Sequence, residues 1–115
     1  MKTIAIDLDG VIHKYSRGWQ DGSIYDGPTE GCADALAELA QRYRVVVFTT
    51  RGADRNGELA VWDWLRKHDL AAHVAEVTAL KPPASFYIDD RAIRHSDWVT
   101  TGDLVRHYEA LETVA

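Results

Sequence analysis

The sequence predicts a layered α/β domain built on a mainly parallel sheet. Three observations carry that expectation. Short apolar, β-branched runs recur at 3–6, 43–48 and 86–88. Segments with helical spacing alternate with them, the pattern of strand–helix–strand units. No internal repeat, low-complexity tract or linker divides the 115 residues, so 1–115 is expected to be one domain with one core.

Taken in order, Thr3-Ile4-Ala5-Ile6 reads as a buried strand. Residues 10–27 follow as a long loop containing Gly10, Gly18, Gly22 and Gly27, and loops of this length are usually functional or mobile. Asp26-Gly27-Pro28 marks a helix start, with Pro28 suited to the first helical position. Cys32, Ala35, Leu36, Leu39 and Ala40 then recur at helical spacing, which predicts a helix over 28–41. The run 43–48 is continuous and β-branched, as expected of a strand covered on both faces. Thr49-Thr50-Arg51-Gly52 ends it. Asn56 is placed to cap a helix over 57–69, with Leu59, Trp62 and Leu65 on its apolar side. A short strand is expected at 73–77, and Lys81-Pro82-Pro83 breaks the chain before the strand Phe86-Tyr87-Ile88. Trp98-Val99 suggests a last short strand before a helix over 102–112.

Composition sets limits on function. An apolar fraction of 46 % and a charged fraction of 27 % are those of an ordinary globular domain. No stretch approaches the roughly 18 apolar residues of a membrane span. The first strand begins by residue 3, which leaves no room for a leader, so a cytoplasmic location is expected. Cys32 is the only cysteine, excluding a disulfide framework or thiolate metal site, and it reads as a small buried residue. The net charge of −5 argues against a protein that coats nucleic acid. Even so, Lys14, Arg17, Arg51, Arg55, Lys81, Arg91 and Arg94, seven of thirteen basic residues, fall in segments expected at one sheet edge. They are either solvated loop charge or a rim that guides an anionic substrate.

The run Asp7-Leu8-Asp9-Gly10-Val11 is the most informative part of the chain. Its two carboxylates are two residues apart, hence on one side of an extended backbone. Gly10 then permits a sharp turn or a close approach to a ligand. Adjacent like charges repel, and a bound cation, a shared proton or a phosphoryl group would offset the repulsion. An exposed turn rich in Asp and Gly is the structural alternative. In parallel sheets, however, ligands bind beyond the carboxyl ends of the strands, where strand order reverses. Those ends carry Asp7 and Asp9, then Thr49 to Arg51, then Asp89 and Asp90, with Lys81 leading into the last.

These residues resemble the haloacid dehalogenase-like (HAD) hydrolases, whose four signature elements occur here in order. Asp7-Leu8-Asp9-Gly10-Val11 looks like the first, Val45-Val46-Val47-Phe48-Thr49 the second, Lys81 the third and Tyr87-Ile88-Asp89-Asp90 the fourth. The resemblance runs from about residue 3 to 90. It implies a three-layer Rossmann-like fold and a phosphatase that uses Mg²⁺. Asp7 would be the nucleophile that forms an aspartyl-phosphate, and Asp9 the acid for the leaving group and then the base for water. Thr49 and Lys81 would bind the phosphoryl oxygens. Asp7, Asp89 and Asp9, the last through its backbone carbonyl, would hold Mg²⁺, with Asp90 orienting that set.

General chemistry agrees with this division. Phosphoryl transfer requires positioning and charge neutralisation, and a carboxylate nucleophile splits hydrolysis into two displacements. Mg²⁺ takes oxygen ligands and keeps several waters. Crowded carboxylates should raise the pKa of whichever is not bound to metal, so that Asp9 carries a proton while Asp7 stays ionised. Within the family that the chain resembles, members that cleave carbon–halogen bonds typically lack an acid at the position of Asp9, so the resemblance implies a phosphatase rather than a dehalogenase. The spacings leave no room for a cap domain, only a flap over 10–27.

Val46-Val47-Phe48-Thr49-Thr50-Arg51 and Ile88-Asp89-Asp90-Arg91 are similar to the phosphatase half of phage polynucleotide kinase–phosphatases. That likeness implies that Thr50 and Arg51 contact substrate phosphate. No kinase-type phosphate loop is present. The substrate is therefore expected to be a small phosphorylated metabolite or a nucleotide or nucleic-acid end. Trp19 either stacks on a base or packs the flap, Trp62 and Trp64 read as packing residues, and His13 and His95, which flank the site in sequence, either touch substrate or are solvated loop histidines. A receiver domain is disfavoured because its paired acids come first in the chain. A catalytically silent phosphate- or partner-binding module is the remaining alternative.

Overall fold

Four parallel strands in the order β3-β2-β1-β4 carry the molecule in a computed structural model describing residues 1–114. They are β1 (Lys2–Ile6), β2 (Tyr43–Phe48), β3 (Glu76–Thr78) and β4 (Phe86–Ile88). The helices are α1 (Cys32–Ala40), α2 (Arg55–Lys67) and α3 (Trp98–Val114). The expected α/β class and parallel sheet are therefore present. Among the described residues, no helix is long and apolar enough to cross a membrane.

Side-chain alternation explains the core. In register, Ile4 lies beside Val45, and Ile6 beside Val47, which in turn neighbours Val77. These share one sheet face, and they join Leu36 of α1 and Val61, Trp64 and Leu65 of α2 in a single buried cluster. Each such side chain contributes about 1.5–3 kcal/mol on burial. Cys32 is also buried there, as expected. On the opposite face Ala5 and Val46 are buried, yet none of residues 98–112 of α3 is. Trp98, Val99, Tyr108 and Leu111 are exposed, so α3 does not close a third layer to the depth of the first two.

Several boundaries differ from expectation for local reasons. Pro28 does not begin a helix. It lies in an extended pairing in which Lys14 N–H donates to Gly27 O at 3.0 Å and Thr29 N–H to Ile12 O at 2.8 Å. Pro28 sits between those bonds, where its missing N–H forfeits nothing. The chain turns through Gly31, at φ 78°, before α1 starts. For α2 the cap is Asp54, not Asn56: its carboxylate accepts from Gly57 N–H at 2.7 Å. The buried stripe is Val61, Trp64 and Leu65, while Leu59 is exposed and Trp62 half-buried. Residues 71–73 form a 3₁₀ turn, which delays β3 to Glu76. Trp98 and Val99 open α3 rather than a strand, because Asp97 accepts from Thr100 N–H at 2.8 Å and Thr100 Oγ1 at 2.9 Å.

Gly57 packs directly on the Arg51 carbonyl, and a Cβ there would overlap it. Gly57→Ala should therefore lower stability by about 1–3 kcal/mol despite the better helix propensity of Ala. Urea denaturation checks this; an unchanged midpoint would mean that the contact relaxes without penalty.

Candidate active site

The carboxyl ends of β1, β2 and β4 seat three of the expected residues side by side. Asp7 N–H donates to Ile88 O at 2.9 Å and Thr49 N–H to Thr78 O at 2.9 Å, so the ladder extends one residue beyond β1 and β2. The chain runs outward from β1 to β2 and β3, then returns to the far side of β1 for β4. The reversal of strand order thus falls between Asp7 and Asp89, where a parallel sheet opens a crevice.

Asp7, Asp89 and Asp90 converge there, each offering a carboxylate oxygen within 4.8 Å of the others. Burial, then the neighbouring Asp89 charge, push the Asp7 pKa up to about 7; Asp90 adds to this and the Leu8 N–H opposes it. That N–H reaches Asp7 Oδ1 at 2.9 Å. Gly10, at φ 85°, makes the cluster possible, because a Cβ at that position would fall on the Asp90 carboxylate. Three convergent oxygen donors with excess negative charge fit a hard divalent cation, and nothing in the donor set singles out Mg²⁺. Asp90, expected only to orient the ligands, presents its own oxygen to the cluster.

Asp9 lies outside this trio. Its Oδ1 is 2.8 Å from His13 Nδ1, and Arg51 Nε reaches Oδ2 at 2.9 Å and Oδ1 at 3.3 Å. The same guanidinium donates to Gly22 O at 2.6 Å and sits 5.0 Å over the Trp19 ring. Arg51 thereby ties the 10–27 flap to Asp9, and it is engaged within the protein rather than free on the rim. The carboxylate crowding expected around Asp9 is found around Asp7 instead, and Asp9 faces a guanidinium and an imidazole.

Lys81, Asp7, Asp89, Phe48 and Arg94 line one cavity of about 540 Å³. The Lys81 ammonium lies 4.7 Å over the Tyr87 ring. Thr49 is buried, and its hydroxyl oxygen accepts from Arg51 N–H at 3.3 Å, which leaves its proton to donate elsewhere. Thr50 is exposed and borders a separate cavity of about 240 Å³ with Trp19 and Arg51.

His13 overturns its sequence reading. It is fully buried, 0 % exposed, and bonded through both ring nitrogens. The fold of 8–14 accounts for this: Leu8 O accepts from the N–H groups of Ile12 and His13, both at 2.9 Å, which curls the imidazole back under Asp9. The spacing of four from Asp9 was the available signal. His95 is exposed, with Nδ1 2.7 Å from Thr101 Oγ1. Trp64 is buried and donates its indole N–H to Asp26 O at 2.9 Å, whereas Trp19 is exposed in the flap.

No protein-family model, curated protein or solved structure matches this chain.

Proposed function

We propose that the protein is a HAD-like phosphomonoester hydrolase that uses a divalent cation, Mg²⁺ being the expected ion, and acts through an aspartyl-phosphate. The observation that carries this reading is the Asp7, Asp89 and Asp90 cluster at the switch point of a parallel sheet, with Lys81 lining the same cleft. Those three carboxylates, with the Asp9 carbonyl, would hold the cation, which when bound neutralises charge on the phosphoryl oxygens.

The remaining steps fall to the chain's own residues. An Asp7 oxygen attacks phosphorus as the bond to the leaving oxygen breaks, and the Asp9 proton passes to that oxygen. Asp9 then takes a proton from water as the water attacks the acyl phosphate, which frees Asp7 and inorganic phosphate. Lys81 and Thr49 bind the transferring group. Thr50 and Arg51 contact the rest of the substrate, Arg51 after exchanging its bonds to Asp9 and Gly22. The substrate class is a small phosphorylated metabolite or a nucleotide or nucleic-acid end, met in the cytoplasm.

One observation favours a second reading, a catalytically silent module: the Arg51–Asp9 ion pair occupies the acid. A panel of aryl, sugar, nucleotide and 3′- or 5′-phosphorylated oligonucleotide substrates separates the two. Turnover that appears with Mg²⁺ and disappears with chelator is expected; inertness across the panel in every divalent metal would leave the silent module.

A further inference from the structure

We propose that His13 is a positioning residue for Asp9, a neutral imidazole that fixes which carboxylate oxygen handles the proton. The inference rests on the phosphatase reading and adds a residue that reading does not use. The tautomer follows from hydrogen bonding alone. Asp26 N–H donates to His13 Nε2 at 3.0 Å, so Nε2 carries no hydrogen and the ring proton is on Nδ1. Nδ1–H therefore donates to Asp9 Oδ1 at 2.8 Å.

The surroundings hold that arrangement firmly. His13 is wholly buried, and Tyr15, Tyr25 and Trp64 meet its ring edge-on at centroid distances of 5.7, 5.2 and 5.6 Å. Trp64 also binds the Asp26 carbonyl at 2.9 Å, so the Asp26 residue that sets the tautomer is itself anchored. With both nitrogens engaged and no exposed surface, the imidazole has no route for passing a proton to water. It is therefore not a relay. Its bond to Oδ1 stops rotation of the Asp9 carboxylate and, once Arg51 has exchanged its bond to Oδ2 for substrate, leaves Oδ2 as the oxygen that gives its proton to the leaving group. In that step the P–O bond breaks with its electron pair on the leaving oxygen, which takes the Oδ2 proton.

A misplaced acid harms poor leaving groups most. The test compares kcat/KM, which reports events up to leaving-group departure, for p-nitrophenyl phosphate and for an alkyl phosphate such as β-glycerophosphate, both with Mg²⁺. His13→Gln places no donor at the Nδ1 position, whereas His13→Asn restores one. Expected for His13→Gln is a loss on the alkyl ester of roughly 100-fold, at least tenfold greater than on the aryl ester, with His13→Asn recovering most of the difference. Equal losses on both esters, or no advantage of Asn over Gln, would overturn the positioning role while leaving the phosphatase reading intact. Where neither ester is turned over, the same comparison is made between substrates of the panel with good and poor leaving groups, and a wild-type protein inert across the whole panel would remove that reading, and this one with it. Should His13→Gln fail to fold, NMR decides: a protected Nδ1–H resonance that moves upfield in Asp9→Asn supports the bond, and its absence refutes it.

Discussion

Replacing Asp7 by Asn is expected to cut turnover by roughly 10⁴-fold or more while making the metal-free protein harder to melt. The two effects have one cause. Asp7 stands against Asp89 and Asp90 in a half-buried crevice, which holds its pKa near 7. Asn keeps the shape and the Leu8 contact but removes the charge that the others repel. It also removes the nucleophile, since an amide does not attack phosphorus. The stability gain should be largest above pH 7, shrink as the pH falls toward 3.8, and vanish only below that, where the wild-type carboxyl is protonated whether folded or not. Initial rates and thermal melts at two pH values check it. Wild-type-like rates in a folded Asp7→Asn protein would remove Asp7 from the chemistry.

The second large effect is a reversal of the pH dependence of stability by metal. In chelator, the folded protein holds a proton on Asp7 that the unfolded chain has released between pH 3.8 and about 7. Where the native state binds more protons, stability falls as pH rises, so the melting temperature should decline across that window. Mg²⁺ requires the ionised cluster and binds only the folded form. At a hundredfold excess over its dissociation constant it adds about 2.7 kcal/mol, roughly 10 °C for a domain of this size. That increment should be full at pH 8 and small at pH 5. Melting curves insensitive to Mg²⁺ at pH 8 would mean that the three acids do not bind Mg²⁺.

What the sequence revealed, and what it concealed, divides along physical lines. β1, β2 and β4 were legible because apolar β-branched runs have few alternatives to a buried strand. The placement of Asp7, Thr49 and Asp89 at one edge followed from the parallel order alone. Pro28 misled because its local preference for a helix start was overridden by a pairing with residues 12–14, a contact that no local window reports. Asp97 and Asp54 cap α3 and α2; the β-branched Val99 and the nearby Asn56 carry competing local signals, for a strand and for a cap. His13 and Arg51 were the least legible. Both look like exposed loop residues until the flap folds back, and then both close on Asp9. For His13 the separation of four from Asp9 was a faint local signal, whereas the Arg51 contact, 42 residues apart in the chain, is a tertiary matter that spacing does not encode.

The central claim is that Asp7 becomes phosphorylated beside the acid cluster. Its most direct test loads Asp9→Asn, which slows hydrolysis of the intermediate, with p-nitrophenyl phosphate and Mg²⁺, whose leaving group departs without help from an acid. Acid quenching and borohydride reduction convert an aspartyl-phosphate to homoserine, which peptide mass spectrometry locates. Homoserine at position 7, absent when Mg²⁺ is withheld, is the predicted result. Release of p-nitrophenol with no homoserine at position 7 would contradict the account.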